Sequence, residues 1–365
     1  MELLDQKDLF VSGEGGYKRY RIPALEVTQK GTVLAFCEAR KYTGHDSDQI
    51  DLFLRRSVDG GRTFGGVQIV ASQEGWVCGN PAPVVDRRTG VIWLLLCRNL
   101  KDGPEAMICE GRAPRTVWVT HSSDDGATWA EPREITAQVK RPEWSWYATG
   151  PGHGVQLASG RLVIPCDHIV LRERHRRDPY YSHVIYSDDG GTTWAIGGIT
   201  GEGANESTAV ETEDGWLYLN CRNKYALPDG GNYRRVAWSR DGGATFSPLI
   251  HDAGLPEPIC EGSVRRYTCA NEGGRSRVLF SNPGVLGERA SLTVRLSYDE
   301  CRSWPVSRII HEGPSAYSDI CVAPDMSICC FYERGAESCY EKMTFGRFNL
   351  EWLTRGQDDL GTQGK

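Results

Sequence analysis

The sequence is poor in several things, and each lack excludes a class of protein. It has no apolar run long enough to cross a bilayer as a helix. It has no positive excess: 42 Lys and Arg stand against 48 Asp and Glu, a net charge of −6. That balance argues against nucleic acid or an anionic membrane surface as a partner, because both need a basic field. The opening "MELLDQKDLF" carries acids where a secretory leader carries basic residues, and no long apolar stretch follows. The expectation is a cytoplasmic protein, or a secreted one if a leader has been trimmed. C-x-x-C pairs are absent although there are 13 cysteines. Many of these lie in apolar runs, such as Cys97 in "WLLLCRN" and Cys166 in "LVIPCDH", so buried reduced thiols are expected, with no disulfide framework and no zinc. Stretches with a 3.6-residue apolar period are also missing, while Val, Ile, Tyr, Trp and Gly abound.

What is present is a repeat. The pattern S-x-D-x-G-x-T-aromatic occurs as "SVDGGRTF" at 57, "SSDDGATW" at 122, "SDDGGTTW" at 187 and "SRDGGATF" at 239. A fifth copy, "SYDECRSW" at 297, keeps Ser297, Asp299 and Trp304 but has Cys301 in place of glycine. The copies start 65, 65, 52 and 58 residues apart. An aspartate can accept backbone N–H groups inside a tight turn, and glycine takes the positive φ such a turn needs. Before each copy lies a β-prone stretch such as "IDLFLRR" or "RTVWVTH", so each unit reads as strand, turn, strand. A period near 60 residues over about 350 predicts an all-β fold, a six-bladed β-propeller. Its sixth blade would come from C-terminal strands such as "MSICCFYERG" and "EKMTFGRFNL", completed by N-terminal sequence. Residues 1–353 are expected to form one domain and 354–365 a polar tail. The repeated turns explain themselves as scaffold. The site belongs at the mouth of the central channel.

These units resemble the Asp boxes of the exo-alpha-sialidase (neuraminidase) family. Further motifs resemble the family's landmarks in order: "YRIP" at 20, "FCEARKYTGHD" at 36, "GNPAPVVD" at 79, "TGPGHGVQL" at 149, "NEST" at 205, "LNCRN" at 219, "SNPG" at 281 with its downstream arginine, and "SAYSDI" at 315. The likeness spans residues 10–348 and is nearer the cellular enzymes of bacteria and animals than the viral ones. It implies a retaining exo-alpha-sialidase that releases terminal sialic acids from oligosaccharides, glycoproteins or gangliosides. No metal or organic cofactor is implied.

A sialic acid carries a carboxylate on its reacting carbon, and arginine forks suit a carboxylate. The resemblance places the three arginines at Arg21, Arg222 and Arg289, with Glu333 in "FYERG" holding the first. A carboxylate nucleophile would be repelled by that same group. A tyrosine is neutral, but its pKa near 10 demands a base in reach, and sialidases are the known tyrosine exception among glycosidases. Tyr317 matches the nucleophile and Glu206 its base. Asp46 matches the acid that protonates the leaving oxygen and then activates water, with Asp48 as the alternative two residues on. Arg40 and Asn80 match contacts to the O4 side and N-acyl group. "WSWY" at 144–147 could line the pocket or fill the core. The run "RERHRRDPYY" at 172–181 reads as a solvated loop or a basic rim, and Asn205-Glu206-Ser207 spells a glycosylation sequon that a catalytic Glu206 argues against. Rival readings are a propeller that binds sialylated glycans without cutting them, a trans-glycosylase, or a hydrolase for a related nonulosonic acid.

Overall fold

The computed structural model describes residues 3–171, 179–225, 232–272 and 274–361. It is all-β. Among the described residues the α-helices are three segments of four or five residues: α1 (Glu105–Cys109), α2 (Thr136–Val139) and α3 (Leu350–Thr354). None is long and apolar enough to cross a membrane.

The strands form a succession of antiparallel meanders. After β1 (Leu4–Val11) come β2 (Arg19–Val27), β3 (Val33–Arg40), β4 (Ile50–Ser57) and the short β5 (Gln68–Ala71). Then follow β6 (Trp76–Val85), β7 (Ile92–Leu100), β8 (Thr116–Ser122) and β9 (Arg133–Glu134). One parallel bridge, Ile50 to Val77, joins these two groups into a single sheet. A third group is β10 (Trp144–Thr149), β11 (Val155–Gln156), β12 (Leu162–Val170), β13 (Tyr180–Ser187) and β14 (Ala195–Ile199). A fourth is β15 (Ala204–Glu211), β16 (Leu217–Asn223), β17 (Tyr233–Ser239) and β18 (Ile250–Pro256). The last sheet runs from β19 (Ser263–Thr268), β20 (Arg277–Pro283) and β21 (Ala290–Ser297) through β22 (Val306–Val322) to β23 (Ile328–Arg334) and β24 (Lys342–Phe348). Strand β22 serves two meanders: its first half pairs with β21 and its second with β23. Strand β1 pairs antiparallel with β24, so N-terminal sequence does complete the C-terminal strands.

Apolar clusters lie between successive meanders. Leu34, Phe36 and Leu54 meet Leu94 and Leu96, for example, and Val163 and Val184 pack against Leu217 and Leu219. The thirteen cysteines serve as thiols, ten of them buried.

The repeated turns behave as their composition demands. In the first, Asp59 Oδ1 accepts from the amides of Arg62 (3.0 Å) and Thr63 (2.9 Å), and Ser57 donates to the same oxygen at 2.7 Å. The same pattern recurs at Asp124, Asp189 and Asp241. The fifth copy makes it too, with Ser303 N donating to Asp299 at 2.8 Å, although Glu300 and Cys301 must take φ of +59° and +64° without glycine. At the end of the chain, Asn349 caps α3, and Asp358 receives a two-pronged bond from Arg277 at 2.8 and 2.6 Å.

Candidate active site

The first strand of several meanders carries a break in register, and the site residues sit at those breaks. Pairing shifts between Arg21 and Ala24 on β2, Gly79 and Ala82 on β6, Trp144 and Tyr147 on β10, Ala204 and Ser207 on β15, and Ser315 and Ser318 on β22. A bulge leaves a residue outside the ladder and turns its side chain away from the sheet's alternation. Asn80, Trp146, Glu206 and Tyr317 are thereby left out of their ladders, while Arg21, still paired with Glu38, flanks the break on β2; the five come from separate meanders. All five line a single cavity of about 250 Å³, together with Arg40, Asp46, Arg222 and Arg289.

At its floor, the Tyr317 hydroxyl donates to Glu206 Oε1 at 2.5 Å. Arg222 Nη1 donates to Glu206 Oε2 at 2.7 Å and to the Tyr317 oxygen at 2.9 Å. The Arg21 and Arg289 guanidinium groups lie 5.0 and 5.5 Å from the centre of the Tyr317 ring. Burial pushes the Glu206 carboxyl up, but Arg222, the Tyr317 hydroxyl and Arg289 outweigh it and hold Glu206 ionised. Burial and then Glu206 push the Tyr317 phenol well above its ordinary value. At rest the pair is therefore a neutral phenol against a carboxylate, one short proton transfer from a phenolate.

Arg21 is fixed by Glu333, whose carboxylate is fully buried. Arg21 Nε donates to Oε1 at 3.0 Å and Nη2 to Oε2 at 3.2 Å. The same two oxygens accept the amides of Ile22 (2.9 Å) and Tyr317 (3.2 Å). One carboxylate thus ties the clamp arginine, its own strand and the strand of the phenol.

Asp46 stands on the loop between β3 and β4, 2.6 Å from Arg40 Nη1 and 3.7 Å from Arg21 Nη1, with its side chain 63 % exposed. Burial by the pocket raises its carboxyl, but Arg40 and Arg21 dominate and hold it down at about 2. Asp48 plays a different part. Its oxygens accept the amides of Tyr42, Thr43, Gly44 and Gln49, which shapes the loop that carries Asp46.

The cavity also holds residues that sequence reasoning missed. Glu38 shares a strand face with Arg40 two positions on, and takes Arg40 Nε at 3.0 Å and the Asn80 amide at 2.9 Å. Asn80 has φ of +55°. Its side-chain oxygen accepts from Arg115, which also donates to Asn99 and to the Tyr147 carbonyl. Asn80 itself lines the cavity. The Arg115 guanidinium stacks 4.1 Å from the Trp146 ring. In "WSWY", then, Trp146 lines the cavity, whereas Trp144 and Tyr147 are core, Trp144 stacking on His168 at 3.7 Å. Further round, Tyr180 donates to Glu105 at 2.7 Å, and Asp167 is buried, with burial first and Glu206 next pushing its carboxyl well up. Of the basic run, residues 172–178 lie outside the described residues. Glu38 could have been found from the alternation within "CEAR"; Arg115, Asp167 and Tyr340 stand in no recognisable motif.

The chain is similar to known proteins along most of its length. Residues 31–330 match the model of the BNR repeat-like domain family. A sialidase of Micromonospora viridifaciens is 34 % identical over 96 % of this chain, which spans 54 % of that protein's length. An exo-alpha-sialidase of Aspergillus fumigatus is 33 % identical over 94 % of this chain and 87 % of its own length. Among solved structures, the Hadza microbial sialidase Hz136 superposes with a TM-score of 0.84 at 28 % identity, covering 95 % of this chain and 69 % of that one.

Proposed function

Given that the chain belongs to the sialidase family of glycoside hydrolases, we propose that it is a retaining exo-alpha-sialidase built on a six-bladed β-propeller, acting on terminal sialic acids of glycoconjugates. In support of six blades, splitting the two larger sheets at the Ile50–Val77 bridge and at β22 divides the four sheets into six meanders. The activity rests on one observation above all: a phenol 2.5 Å from an ionised glutamate, with three guanidinium groups around it.

Arg21, Arg222 and Arg289 take the substrate's carboxylate. Glu206 removes the Tyr317 proton as the phenol oxygen attacks the anomeric carbon, and the bond to the leaving oxygen breaks through an oxocarbenium-like transition state. Asp46 gives that oxygen a proton. In the free protein Asp46 is ionised. A substrate carboxylate on Arg21 adds a like charge nearby, and the arriving sugar sheds water from the loop; both raise the Asp46 carboxyl toward protonation. In the second half, the Asp46 carboxylate takes a proton from water, whose oxygen attacks the same carbon. The bond to Tyr317 breaks and Glu206 returns the phenol's proton. Two inversions leave the configuration unchanged.

The test is a mechanism-based label. A 3-fluorosialosyl fluoride should leave one sugar adduct on the peptide that contains Tyr317, and Tyr317→Phe should take none. An adduct on another residue, or none from a protein that hydrolyses aryl sialosides, refutes the tyrosyl route.

A further inference from the structure

The three clamp arginines are not held alike. Arg21 is paired with Glu333 and Arg222 with Glu206. Arg289 is held by neutral oxygens: Nη1 donates to the Tyr340 hydroxyl at 2.8 Å, and Nη2 to the carbonyl of Ile259 at 3.0 Å. Among the described residues, no carboxylate lies within ion-pair distance of it. Ile259 itself has φ of +52°, a conformation a β-branched residue resists. The backbone there is bent into service.

Tyr340 does a second thing. Its ring lies 4.3 Å from the Arg21 guanidinium, close enough for a cation–π contact. One side chain therefore touches two arginines of the clamp, by its edge and by its face. The loop that carries it is unusually well fastened. The Glu341 carboxylate accepts the amides of Ala336 (3.0 Å), Glu337 (2.8 Å) and Ser338 (2.7 Å). From the end of β1, Ser12 bonds the carbonyls of Tyr340 (2.7 Å) and Glu341 (2.8 Å).

We propose that Tyr340 is a positioning residue of the carboxylate clamp, a neutral phenol that fixes Arg289 and backs Arg21 while leaving the charge of Arg289 free for substrate. An aspartate or glutamate would fix Arg289 at least as firmly. It would also neutralise it, and the incoming carboxylate would then have to displace an internal anion. A phenol oxygen gives direction without that competition. Arg21 and Arg222 already carry such internal anions, so Arg289 is the member of the clamp with the largest unspent attraction. The inference rests on the sialidase reading.

The experiment compares the parent, Tyr340→Phe and Tyr340→Leu. The probe is a 2,3-unsaturated sialic acid analogue, titrated by calorimetry, alongside kcat and KM on an aryl sialoside. Tyr340→Phe keeps the ring over Arg21 and removes only the acceptor. A hydrogen bond to a charged group predicts about a tenfold weaker Kd and a KM raised in step. The value of kcat should change less than about twofold, because clamp contacts serve ground state and transition state alike. Tyr340→Leu loses the ring as well and should bind weaker still. A purely structural residue would instead lower the thermal midpoint and kcat together. Should the leucine variant fail to fold, the near-isosteric phenylalanine variant decides alone. Unchanged Kd and KM in Tyr340→Phe overturn the proposal and leave the sialidase reading standing. A parent that binds no sialic acid analogue overturns both.

Discussion

Glu333→Gln changes one atom and should cost far more than its size suggests. The two oxygens of Glu333 accept four donors in matched pairs: Arg21 Nε with the Ile22 amide on Oε1, and Arg21 Nη2 with the Tyr317 amide on Oε2. A glutamine must put its NH₂ on one side or the other. Either way that NH₂ confronts one arginine N–H and one backbone N–H, so two donors lose their acceptor. The Arg21 guanidinium, 9 % exposed in its side chain, also loses its buried counter-charge and keeps only the exposed Asp46 at 3.7 Å. Removing one partner of a buried ion pair costs about 3–5 kcal/mol. Equilibrium urea unfolding, followed by the fluorescence of the 11 tryptophans, should show a loss of that order. The exposed Glu337→Gln should show next to none. KM should rise as well, since Arg21 is no longer aimed. A Glu333→Gln protein within about 1 kcal/mol of the parent would refute the reasoning.

Asp46→Ala should lose much of its activity on natural linkages and much less on an aryl sialoside, whose leaving group needs little protonation; equal losses would remove Asp46 from the acid's role. Acid should loosen the repeated turns. The Thr128 hydroxyl and amide hold Asp124 at about 2; at Asp189 and Asp241 burial pushes up, but hydrogen bonds from Thr193 and Ser239 outweigh it and hold both at about 2, against 3.8 unfolded. Lowered values stabilise above the unfolded pKa, so thermal midpoints should fall as pH drops from about 4 through about 2, and Asp124→Asn should flatten that slope. Gly191→Ala should cost about 3 kcal/mol, because φ is +93° and the new methyl would drive into the Trp93 indole. Gly60→Ala, at φ +70° with its nearest neighbour atom 3.6 Å away, should cost clearly less by chemical denaturation, and equal costs would refute the packing argument.

Much of this was legible in the sequence, for physical reasons. The repeated turn is local: a serine, an aspartate and a hydroxyl four residues on close the same ring of bonds wherever they occur, and even the glycine-free copy at 297 obeys. The residues of the cavity that stand in motifs, Arg21, Glu206 and Tyr317 among them, do line it together. What could not be read is whatever depends on two distant strands meeting. Arg115 owes its meaning to Asn80, 35 residues away, and Tyr340 to Arg289, 51 residues away. The choice between Asp46 and Asp48 is of the same kind. Both sit in one loop with one composition, and only the direction of backbone amides separates the carboxylate that shapes the loop from the one that faces Arg40.

The pairing of Leu4–Val11 with Lys342–Phe348 carries a consequence for how the protein is made. On a ribosome adding about 5–20 residues per second, the first strand emerges roughly 15–70 s before its partner exists. Through that interval its ladder groups and the edge of the growing stack are open to any extended segment nearby. The newborn chain is thus open to wrong pairing throughout that interval, and a chaperone that shields Leu4–Val11 until Lys342–Phe348 arrives should raise the yield of folded protein.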